Sequence, residues 1–545
     1  MVKSRIFLLY LTLVFLRDIL IKDILSQQGM FNMIVKVNTG AVCGLEGKSV
    51  IVEADFSNGL PSFDVVGLPD ATVRESKERV RAALKNSGFE FPAKRAVINL
   101  APADLKKEGT QFDLPIAISI MAGTGQLKTD INEYMFIGEL GLSGELRGVS
   151  GVLSLVSAAK EWGITKVFVP EENACEAALA RGIDVLGAKS LEDVFCHLTE
   201  ERTINPTVCD IESIFSDSSV YDMDFSDVRG QIAVRRGIEL CVSGGHNLLL
   251  IGTPGSGKSM LAQRIPTILP DMTLEEAIEV TKIYSVAGLL DGDTNLIAKR
   301  PFRTPHHSAS AVSIVGGGSK ARPGELSLAH NGVLFLDEFP EYRKDVIESM
   351  RQPLEDKHIT VTRAAGTYTY PCNAMLAVAL NPCKCGYYGD GTNRCRCSET
   401  EVRKYLGKIS GPMLDRIDIQ LEATPVKYSD LKAMKGESSA EIKNRVNQAR
   451  NIQKERYKNE SISTNAQLSG ALVEKYCHIG EAENKMLKNA FESLGLTARA
   501  YTRILKVART IADCAGRAGE DEINEMDIAE AIGYRSLDRK YFGSF

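Results

Sequence analysis

The segment Asn247-Leu-Leu-Leu-Ile-Gly-Thr-Pro-Gly-Ser-Gly-Lys-Ser259 decides the fold of the central part of the chain. Its apolar first half predicts a buried strand, and the residues from Ser259 onward predict a helix. The loop between them fits the pattern G-x-x-x-x-G-K-[ST], in the strand–loop–helix context that a phosphate-binding loop requires. The residues that we expect to contact a nucleotide are Gly252, Thr253, Pro254, Gly255, Ser256, Gly257, Lys258 and Ser259.

The residue types of this loop indicate its chemistry. Glycines let backbone N–H groups surround phosphate oxygens at the start of a helix. Lys258 is suited to neutralise charge on the β- and γ-phosphates, and the Ser259 hydroxyl is suited to ligate Mg²⁺. These features predict that the chain binds ATP together with Mg²⁺, and a chance match to the pattern is the alternative.

A second motif, Gly332-Val-Leu-Phe-Leu-Asp337-Glu338, is an apolar strand that ends in two carboxylates. Asp337 is expected to hold Mg²⁺, directly or through water, and Glu338 is expected to polarise the attacking water. Because the two motifs occur together, they argue against chance and predict hydrolysis of ATP as well as binding.

Three further polar residues are candidates for completing the site. Asn381 follows the apolar run 375–380, where a sensor of the γ-phosphate would lie at the carboxyl edge of a parallel sheet. Arg416 and Arg499 each follow a short motif, Gly-Pro-Met-Leu-Asp and Leu-Thr-Ala. Arg416 could reach an ATP bound by a neighbouring subunit, and Arg499 is a further candidate that could act within its own subunit or across the boundary. For each arginine alone, a solvated surface charge is the alternative.

The composition limits where nucleic acid could bind. The 545 residues carry a formal net charge of −5 and are 44% hydrophobic, which excludes a globally basic binding protein and leaves only local patches. Residues 299–322 contain basic residues, His306 and His307 but no acidic residue, and they predict a flexible loop or hairpin inserted in the ATPase core. Residues 357–370 alternate like two short strands around Gly366. The DNA-contact candidates are Lys299, Arg300, Arg303, Lys320, Arg322 and Arg363.

The alternative for both segments is a solvated basic loop beside an ordinary hairpin. For His306 and His307, packing or phosphate contact is favoured over a metal site.

The twelve cysteines fall into two groups. Cys383, Cys385, Cys395 and Cys397 form a C-x-C-x₉-C-x-C pattern on a glycine-rich loop, and four such thiolates can close a structural zinc site. Free thiols, disulfides and an iron–sulfur cluster stay open as alternatives. The other eight are scattered singly, and we expect them to be the free thiols of a reduced, cytoplasmic protein: Cys43, Cys175, Cys196, Cys209, Cys241, Cys372, Cys477 and Cys514.

The chain is expected to have an α/β fold class with several domains. The apolar run at residues 6–16 is too short to span a bilayer, and no small-residue cleavage site follows it. We therefore expect Met33 to be the functional start and expect no stable membrane association. The expected division is an N-terminal extension 1–32, an α/β domain 33–198, a polar linker 199–223, an ATPase core 224–425 and a helical domain 426–545.

From Met33 onward the chain resembles the YifB/ComM family of magnesium-chelatase-like AAA+ ATPases. The segments that carry the resemblance are residues 59–70, 99–109, 244–250, 322–338 and 410–418. The resemblance implies that Asn381 is sensor 1, Arg416 the arginine finger and Arg499 sensor 2. It also implies a ring, a hexamer, with ATP sites between subunits and a C-terminal helical lid of magnesium-chelatase type.

The resemblance implies a function as well. It points to a helicase-type motor that drives branch migration when incoming DNA recombines during natural transformation, with DNA and recombination proteins as partners. The alternative is a magnesium-chelatase-type or protein-remodelling ATPase that acts on a protein partner.

The first domain is similar to the Lon-protease type in its second half. Peptidase chemistry of that type needs a serine activated by a lysine. Residues 107–113 contain no serine, and Leu153 stands at the position that matches the family's lysine. We therefore expect no proteolysis.

Overall fold

The computed structural model describes residues 34–218, 221–290, 296–318, 321–363, 366–391, 393–425, 436–494, 496–518 and 523–542. These residues divide into two compact units. The first extends to Cys209 and also takes in residues 288–290, and the second comprises Asp210–Ala287 and the residues from Leu296 onward. The N-terminal extension and the proposed start at Met33 lie outside the described residues.

The boundary between the units falls within the segment 199–223 that was expected to be an irregular linker. That expectation is wrong in part, because Ile211–Ser218 forms a helix. The side chain of Asp210 accepts a hydrogen bond from the Ser213 N–H at 3.1 Å, which caps the first turn of this helix.

The first unit is built on a seven-stranded mixed sheet. Its strands, numbered in chain order, are β1 (Val35–Cys43), β2 (Glu46–Ser57), β3 (Ser62–Val66), β4 (Arg95–Ala101), β5 (Tyr134–Phe136), β8 (Lys166–Pro170) and β9 (Asp184–Ala188). The spatial order is β3-β4-β2-β1-β5-β8-β9. Two further short strands, β6 (Glu139–Leu140) and β7 (Leu146–Arg147), pair with each other in antiparallel fashion.

Among its described residues, this unit has five α-helices: α1 (Ala71–Asn86), α2 (Asp113–Gly123), α3 (Val152–Ala159), α4 (Glu171–Ala178) and α5 (Leu191–Leu198). α1 begins where the Asp70 side chain accepts from the Val73 N–H at 2.8 Å, and it buries Val73, Val80 and Leu84 at helical spacing. The mixed α/β character expected for residues 33–198 is confirmed.

The second unit contains a five-stranded parallel sheet. Its strands are β10 (Leu248–Gly252), β11 (Phe302–Arg303), β12 (Val333–Leu336), β15 (Met375–Leu380) and β16 (Ile419–Ala423), in the spatial order β11-β12-β15-β10-β16. Except at the short strand β11 and at one residue of β16, the side chains are buried on both faces. The continuous apolar runs around Leu249, Phe335 and Val378 follow from this double burial.

The expectation of a loop or hairpin at residues 299–322 is wrong at two places. Phe302–Arg303 is β11, an edge strand of the core sheet that pairs with β12, and Ala311–Val315 is a short helix. By contrast, the hairpin expected at residues 357–370 is confirmed. β13 (His358–Arg363) and β14 (Gly366–Pro371) pair in antiparallel register.

The remaining helices of the second unit surround the parallel sheet or form the C-terminal region. In chain order they are α6 (Ile211–Ser218), α7 (Ile232–Gly244), α8 (Lys258–Ile268), α9 (Leu274–Ala287), α10 (Ala311–Val315), α11 (Glu325–Leu328), α12 (Lys344–Ser349), α13 (Arg351–Asp356), α14 (Glu399–Leu406), α15 (Gly411–Leu414), α16 (Ser439–Arg456), α17 (Ala471–Tyr476), α18 (Glu481–Leu494), α19 (Ala498–Cys514) and α20 (Glu525–Gly533).

The helical C-terminal region and the parallel sheet share one hydrophobic core. Leu250 of the sheet belongs to the same buried cluster as Val446 of α16 and Ile504 of α19. Polar contacts join the same parts, since Arg445 of α16 forms two hydrogen bonds with Glu239 of α7 at 2.8 and 3.0 Å. The helical region therefore has a defined position against the ATPase core.

One pair of cysteines contradicts the expectation that all eight scattered cysteines are free thiols. Cys175 of α4 and Cys209 form a disulfide. The Thr207 N–H donates to the Val185 carbonyl of β9 at 2.8 Å, and this bond brings Cys209 beside α4. The other six scattered cysteines are free. Among the residues that the structure describes, no helix combines the length and the apolar character needed to cross a membrane.

Candidate active site

The phosphate-binding loop lies at the carboxyl edge of the parallel sheet, between β10 and α8. Gly255 and Gly257 have φ angles of +77° and +85°, a conformation that side chains disfavour. The hydroxyl oxygens of Thr253 and Ser256 are buried without a hydrogen-bond partner. Buried polar atoms of this kind, beside the N-terminus of α8, fit the oxygens of a phosphate chain.

Lys258 is held in place by three acceptors. Its Nζ donates to the carbonyl oxygens of Gly252 and Thr253 at 2.7 and 3.1 Å and to Oδ1 of Asn381 at 3.0 Å. Burial lowers the pKa of the Lys258 ammonium, and the charges of Asp337 and Glu338 oppose that shift. The ammonium therefore lies between the loop and Asn381, where the terminal phosphates of a nucleotide would lie.

The two expected magnesium ligands lie side by side. Ser259 Oγ donates to Asp337 Oδ2 at 2.6 Å, although the two residues are 78 positions apart in the chain. Their proximity follows from the sheet, because β12 and β10 both pair with β15 and end at the same edge. A hydroxyl and a carboxylate are a donor set that Mg²⁺ accepts, so these residues fit the cation.

Glu338 follows directly after Asp337 and has an unusual backbone conformation. Its φ angle is +50°, and its side chain is 56% exposed toward the edge of the sheet. Nδ1 of His307 lies 3.5 Å from Oε2 of Glu338. A non-glycine residue with a positive φ angle is a recurring feature of functional sites, and here it coincides with the carboxylate expected to act on water.

His307 is the contact of Glu338 that sequence reasoning missed. The sequence favours packing or phosphate contact for His306 and His307, and nothing in the local pattern indicates Glu338 as a neighbour. The two histidine rings lie 4.1 Å apart, and His306 turns instead to Ser308, whose Oγ is 2.8 Å from its Nδ1.

Arg416 lies at the opposite edge of the sheet from the phosphate-binding loop. Its carbonyl oxygen accepts from Nδ2 of Asn247, the residue before β10, at 2.7 Å. Its guanidinium donates to the Pro412 carbonyl at 2.9 Å and is paired with Glu355, and its side chain is only 14% exposed. The five residues of β10 span about 16 Å between this edge and the loop.

Arg499 lies at the same amino edge as Arg416. Its Nη1 is 3.4 Å from Oδ2 of Asp415, the residue next to Arg416, and its side chain is 59% exposed. The structure thus brings Arg416 and Arg499 together, and it places neither of them at the phosphate-binding loop of its own chain.

The side chains of the expected DNA-contact residues differ in their exposure and in their bonds to other residues of the chain. The Arg300 side chain is 12% exposed and donates to the carbonyls of Pro270 and Asn331 and to Glu276. Arg303 forms two hydrogen bonds with Glu325, at 2.7 and 2.8 Å. Both guanidinium groups are bonded to acceptors within the chain. DNA contact is therefore expected only from the remaining candidate residues.

Those remaining residues are exposed or outside the described part of the chain. Lys299 is exposed, with its Nζ 5.3 Å from the ring centre of Tyr221, and Arg322 is exposed. Lys320 lies outside the described residues. Arg363, at the end of β13, is exposed and its Nε donates to the Gly318 carbonyl at 3.1 Å.

The basic segment and the hairpin therefore meet. Tyr370 of β14 adds a second bond between them, since its hydroxyl donates to the Ala321 carbonyl at 2.7 Å. Residues 308–318 and 321–322 and the two strands of the hairpin form one surface, which we call the basic surface, and its exposed cations include Arg322 and Arg363.

The four clustered cysteines converge on one point. Their sulfur atoms all lie within 4.8 Å of one another, and three of the separations are 3.3, 3.6 and 3.8 Å. Four sulfurs around a tetrahedral zinc ion at a bond length of about 2.3 Å would be about 3.8 Å apart. The cluster therefore fits a closed, four-thiolate metal site.

The expectation that the first unit has no serine–lysine pair for proteolysis stays a prediction. Leu153 is fully buried in α3. The Lys107 side chain is buried and its Nζ is bonded to the Pro102 carbonyl, and burial lowers the pKa of its ammonium.

Comparison with known proteins gives three family matches along the chain. The model described as magnesium chelatase, subunit ChlI, matches residues 224–431. The model of subunit ChlI of Mg-chelatase matches residues 52–173, and that of the ChlI C-terminal part matches residues 436–535.

Individual relatives agree with these matches. YifB of Salmonella typhimurium is 43% identical over 509 residues, which cover 92% of this chain and 97% of that protein. Competence protein ComM of Haemophilus influenzae is 42% identical over 510 residues, with the same coverage of 92% and 97%. A partial match, 31% identical over 90 residues and covering 16% of this chain, is DNA repair protein RadA of Streptococcus pneumoniae, of which it covers 21%. The chain contains the phosphate-binding loop and the paired Ser259 and Asp337, and it aligns with YifB and ComM over nearly its full length. It therefore belongs to the YifB/ComM family of magnesium-chelatase-like AAA+ ATPases.

Proposed function

We propose that the chain is the subunit of a ring-forming motor, a hexamer, which hydrolyses ATP to move DNA strands. We propose branch migration during recombination of incoming DNA in natural transformation as its task. The printed names of two relatives support this assignment, since one is a competence protein and the other a DNA repair protein.

The ATP site has its parts at both edges of the sheet, which supports a ring. Lys258 and Asp337 lie at the carboxyl edge, whereas Arg416 and Arg499 lie at the amino edge. In a head-to-tail ring, the amino edge of one subunit faces the carboxyl edge of the next. Arg416 then acts as the finger, and Arg499 as sensor 2, on the ATP of the neighbouring subunit.

Within one subunit the residues around the phosphates have separate tasks. Asp337 and Ser259 hold Mg²⁺, which neutralises phosphate charge when bound. Glu338 accepts a proton from the attacking water, and Asn381 orients that water while it keeps Lys258 in position.

The observation that carries the DNA assignment is the path of residues 307–318. At one end, His307 lies 3.5 Å from Glu338, and at the other end Gly318 accepts from Arg363 of the hairpin. One short segment thus connects the carboxylate of hydrolysis to the basic surface. Arg322 and Arg363 on that surface suit phosphate oxygens of DNA without reading its sequence.

The four-cysteine cluster is part of the proposal. We assign it a structural zinc ion held by Cys383, Cys385, Cys395 and Cys397, because the sulfur separations suit a tetrahedral thiolate site. A site with four protein ligands leaves no open position for catalysis, so the ion stabilises the loop.

The test is the ATPase rate of the purified protein with and without four-way or forked DNA, at two salt concentrations. Stimulation by DNA that weakens as salt rises supports a motor on DNA, because phosphate contacts depend on counterion release.

The second candidate is a protein-remodelling or chelatase-type ATPase. The net charge of −5 and the commitment of Arg300 and Arg303 to the fold favour it, because they reduce the positive charge available to DNA. Stimulation of ATP hydrolysis by a protein partner, with no response to DNA, would establish this candidate instead.

A further inference from the structure

The loop that carries the four cysteines touches the phosphate-binding loop directly. Gly386, between Cys385 and Tyr387, has a φ angle of +89°. A Cβ atom at this position would lie 2.6 Å from both Cγ and Cδ of Pro254. Carbon atoms do not approach so closely, so Gly386 is needed for the contact between the two loops.

A second connection runs through the sensor strand. Asn381 follows β15 and accepts from Lys258, and after Pro382 the chain reaches Cys383, whose side chain is fully buried. The cysteine loop therefore begins after Asn381, one acceptor of Lys258, and packs against Pro254, which follows Thr253, a second acceptor of Lys258. A movement of this loop would change both of these neighbours of the phosphate site.

The cysteine loop lacks regular secondary structure over its described residues, 382–391 and 393–397. Gly386, Gly389 and Gly391 all have positive φ angles. Glycines lose more conformational entropy than other residues when they are fixed, so ordering this loop costs free energy. Four converging thiolates can crosslink such a loop through a metal, and binding of the metal supplies folding free energy.

We propose that the metal held by these four cysteines keeps the phosphate-binding loop in its nucleotide-binding conformation through the contact of Gly386 with Pro254. This inference rests on the zinc site assigned under the proposed function, but it does not depend on DNA. Because such coupling is reciprocal, bound metal raises the affinity for ATP, and bound ATP raises the affinity for the metal by the same factor.

The first experiment measures ATP affinity against metal content. Purified full-length protein is assayed for zinc, and the dissociation constant of a fluorescent ATP analogue is measured before and after a zinc-selective chelator, with Mg²⁺ constant. We expect about one zinc per chain, binding about fivefold weaker or more after chelation, and recovery when zinc is returned. Zinc well below one equivalent, or equal dissociation constants, would overturn the proposal.

The reciprocal measurement uses the chelator as the probe. Titration with a chromogenic zinc chelator gives the affinity for zinc, with and without saturating ATP and Mg²⁺. The affinity is expected to rise with ATP by the factor found in the first experiment. Identical zinc affinities would contradict the coupling.

Two glycines offer a matched pair of variants. Gly386→Ala and Gly391→Ala each place a side chain at a positive φ angle, +89° and +72°, in the same loop. Only the first meets Pro254, since among the described residues not adjacent to Gly391 no atom lies within 4 Å of a Cβ at Gly391. We expect weaker ATP binding for Gly386→Ala and affinity like the wild type for Gly391→Ala. Equal effects of both variants would refute the contact.

A third variant keeps the proposal testable if Gly386→Ala does not fold. Pro254→Ala removes the ring that contacts Gly386, so chelation of zinc should no longer change its affinity for ATP. A response to chelation like that of the wild type would contradict the proposal. All these measurements are made without DNA, so their failure and the failure of the DNA assignment can be told apart.

Discussion

The side-chain amide of Asn247 donates a 2.7 Å hydrogen bond to the carbonyl oxygen of Arg416. Asn247 stands immediately before β10 and the phosphate-binding loop immediately after it, so this bond fixes Arg416 at the edge of the sheet opposite to Lys258. The guanidinium of Arg416 is further held by Pro412 and Glu355. The proposed role of Arg416 as a finger therefore requires an ATP bound by another subunit.

Arg416→Ala is expected to bind ATP normally and to lose turnover by about 10³-fold, because an arginine finger stabilises the transition state rather than the ground state. The measurement is kcat together with the dissociation constant of ATP. Arg343→Ala, which removes an exposed arginine paired with Asp345, is the control and should keep its rate.

Mixing two inactive variants tests whether the finger acts between subunits. Rings made of Arg416→Ala and Glu338→Gln chains should regain activity, because some sites then combine an intact Glu338 with an intact Arg416 from the neighbour. Activity that stays at the level of the separate variants at every mixing ratio would argue against the ring arrangement.

Glu338→Gln is expected to retain ATP binding and to lower kcat by about 10²- to 10⁴-fold, the usual contribution of a general base. Glu341→Gln, three residues away and paired with Lys408 at 3.4 Å, is a matched control that should hydrolyse ATP at the rate of the wild type. Lys258→Ala should instead lose ATP binding, because it removes the charge that faces the phosphates. Hydrolysis that persists in Glu338→Gln would remove this residue from its assigned role.

His307→Ala is expected to reduce the dependence of the ATPase rate on DNA while the KM for ATP stays unchanged. The reason is that His307 is the contact of Glu338 on the segment that leads to the basic surface. His306→Ala is the control, since His306 contacts Ser308 instead. An unchanged ratio of the rates with and without DNA in His307→Ala would show that the contact carries no signal.

Two arginines that look alike in sequence should behave differently. Arg363→Ala is expected to weaken DNA binding and to lower the slope of log affinity against log salt by about one, with thermal stability unchanged. Arg300→Ala should instead destabilise the fold by about 1–3 kcal/mol, because it leaves the partly buried acceptors of Pro270, Asn331 and Glu276 without their donor. DNA binding by salt titration and thermal unfolding of both variants make the comparison, and loss of stability in Arg363→Ala would undermine it.

The sequence predicts the parts of the site that follow from a continuous motif or from the ends of apolar strands. The phosphate-binding loop is continuous, and Asp337 and Asn381 each end an apolar strand, so the rule that parallel strands end at one edge brings them together. β11 was missed because Phe302 and Arg303 are too few to show a period. Two contacts could not be predicted, that of His307 with Glu338 and that of Gly386 with Pro254. Each depends on how two loops that are distant in the chain pack together, and the local sequence around them does not contain that information. The same holds for the disulfide between Cys175 and Cys209.

Dissociation of a labelled four-way junction with movable arms measures whether the protein uses ATP to move DNA strands. The purified protein with ATP and Mg²⁺ should convert the junction into two duplexes, and Glu338→Gln under the same conditions should bind the junction and leave it intact. A junction that stays intact with the wild-type protein, while a protein partner stimulates its ATP hydrolysis, would contradict the account.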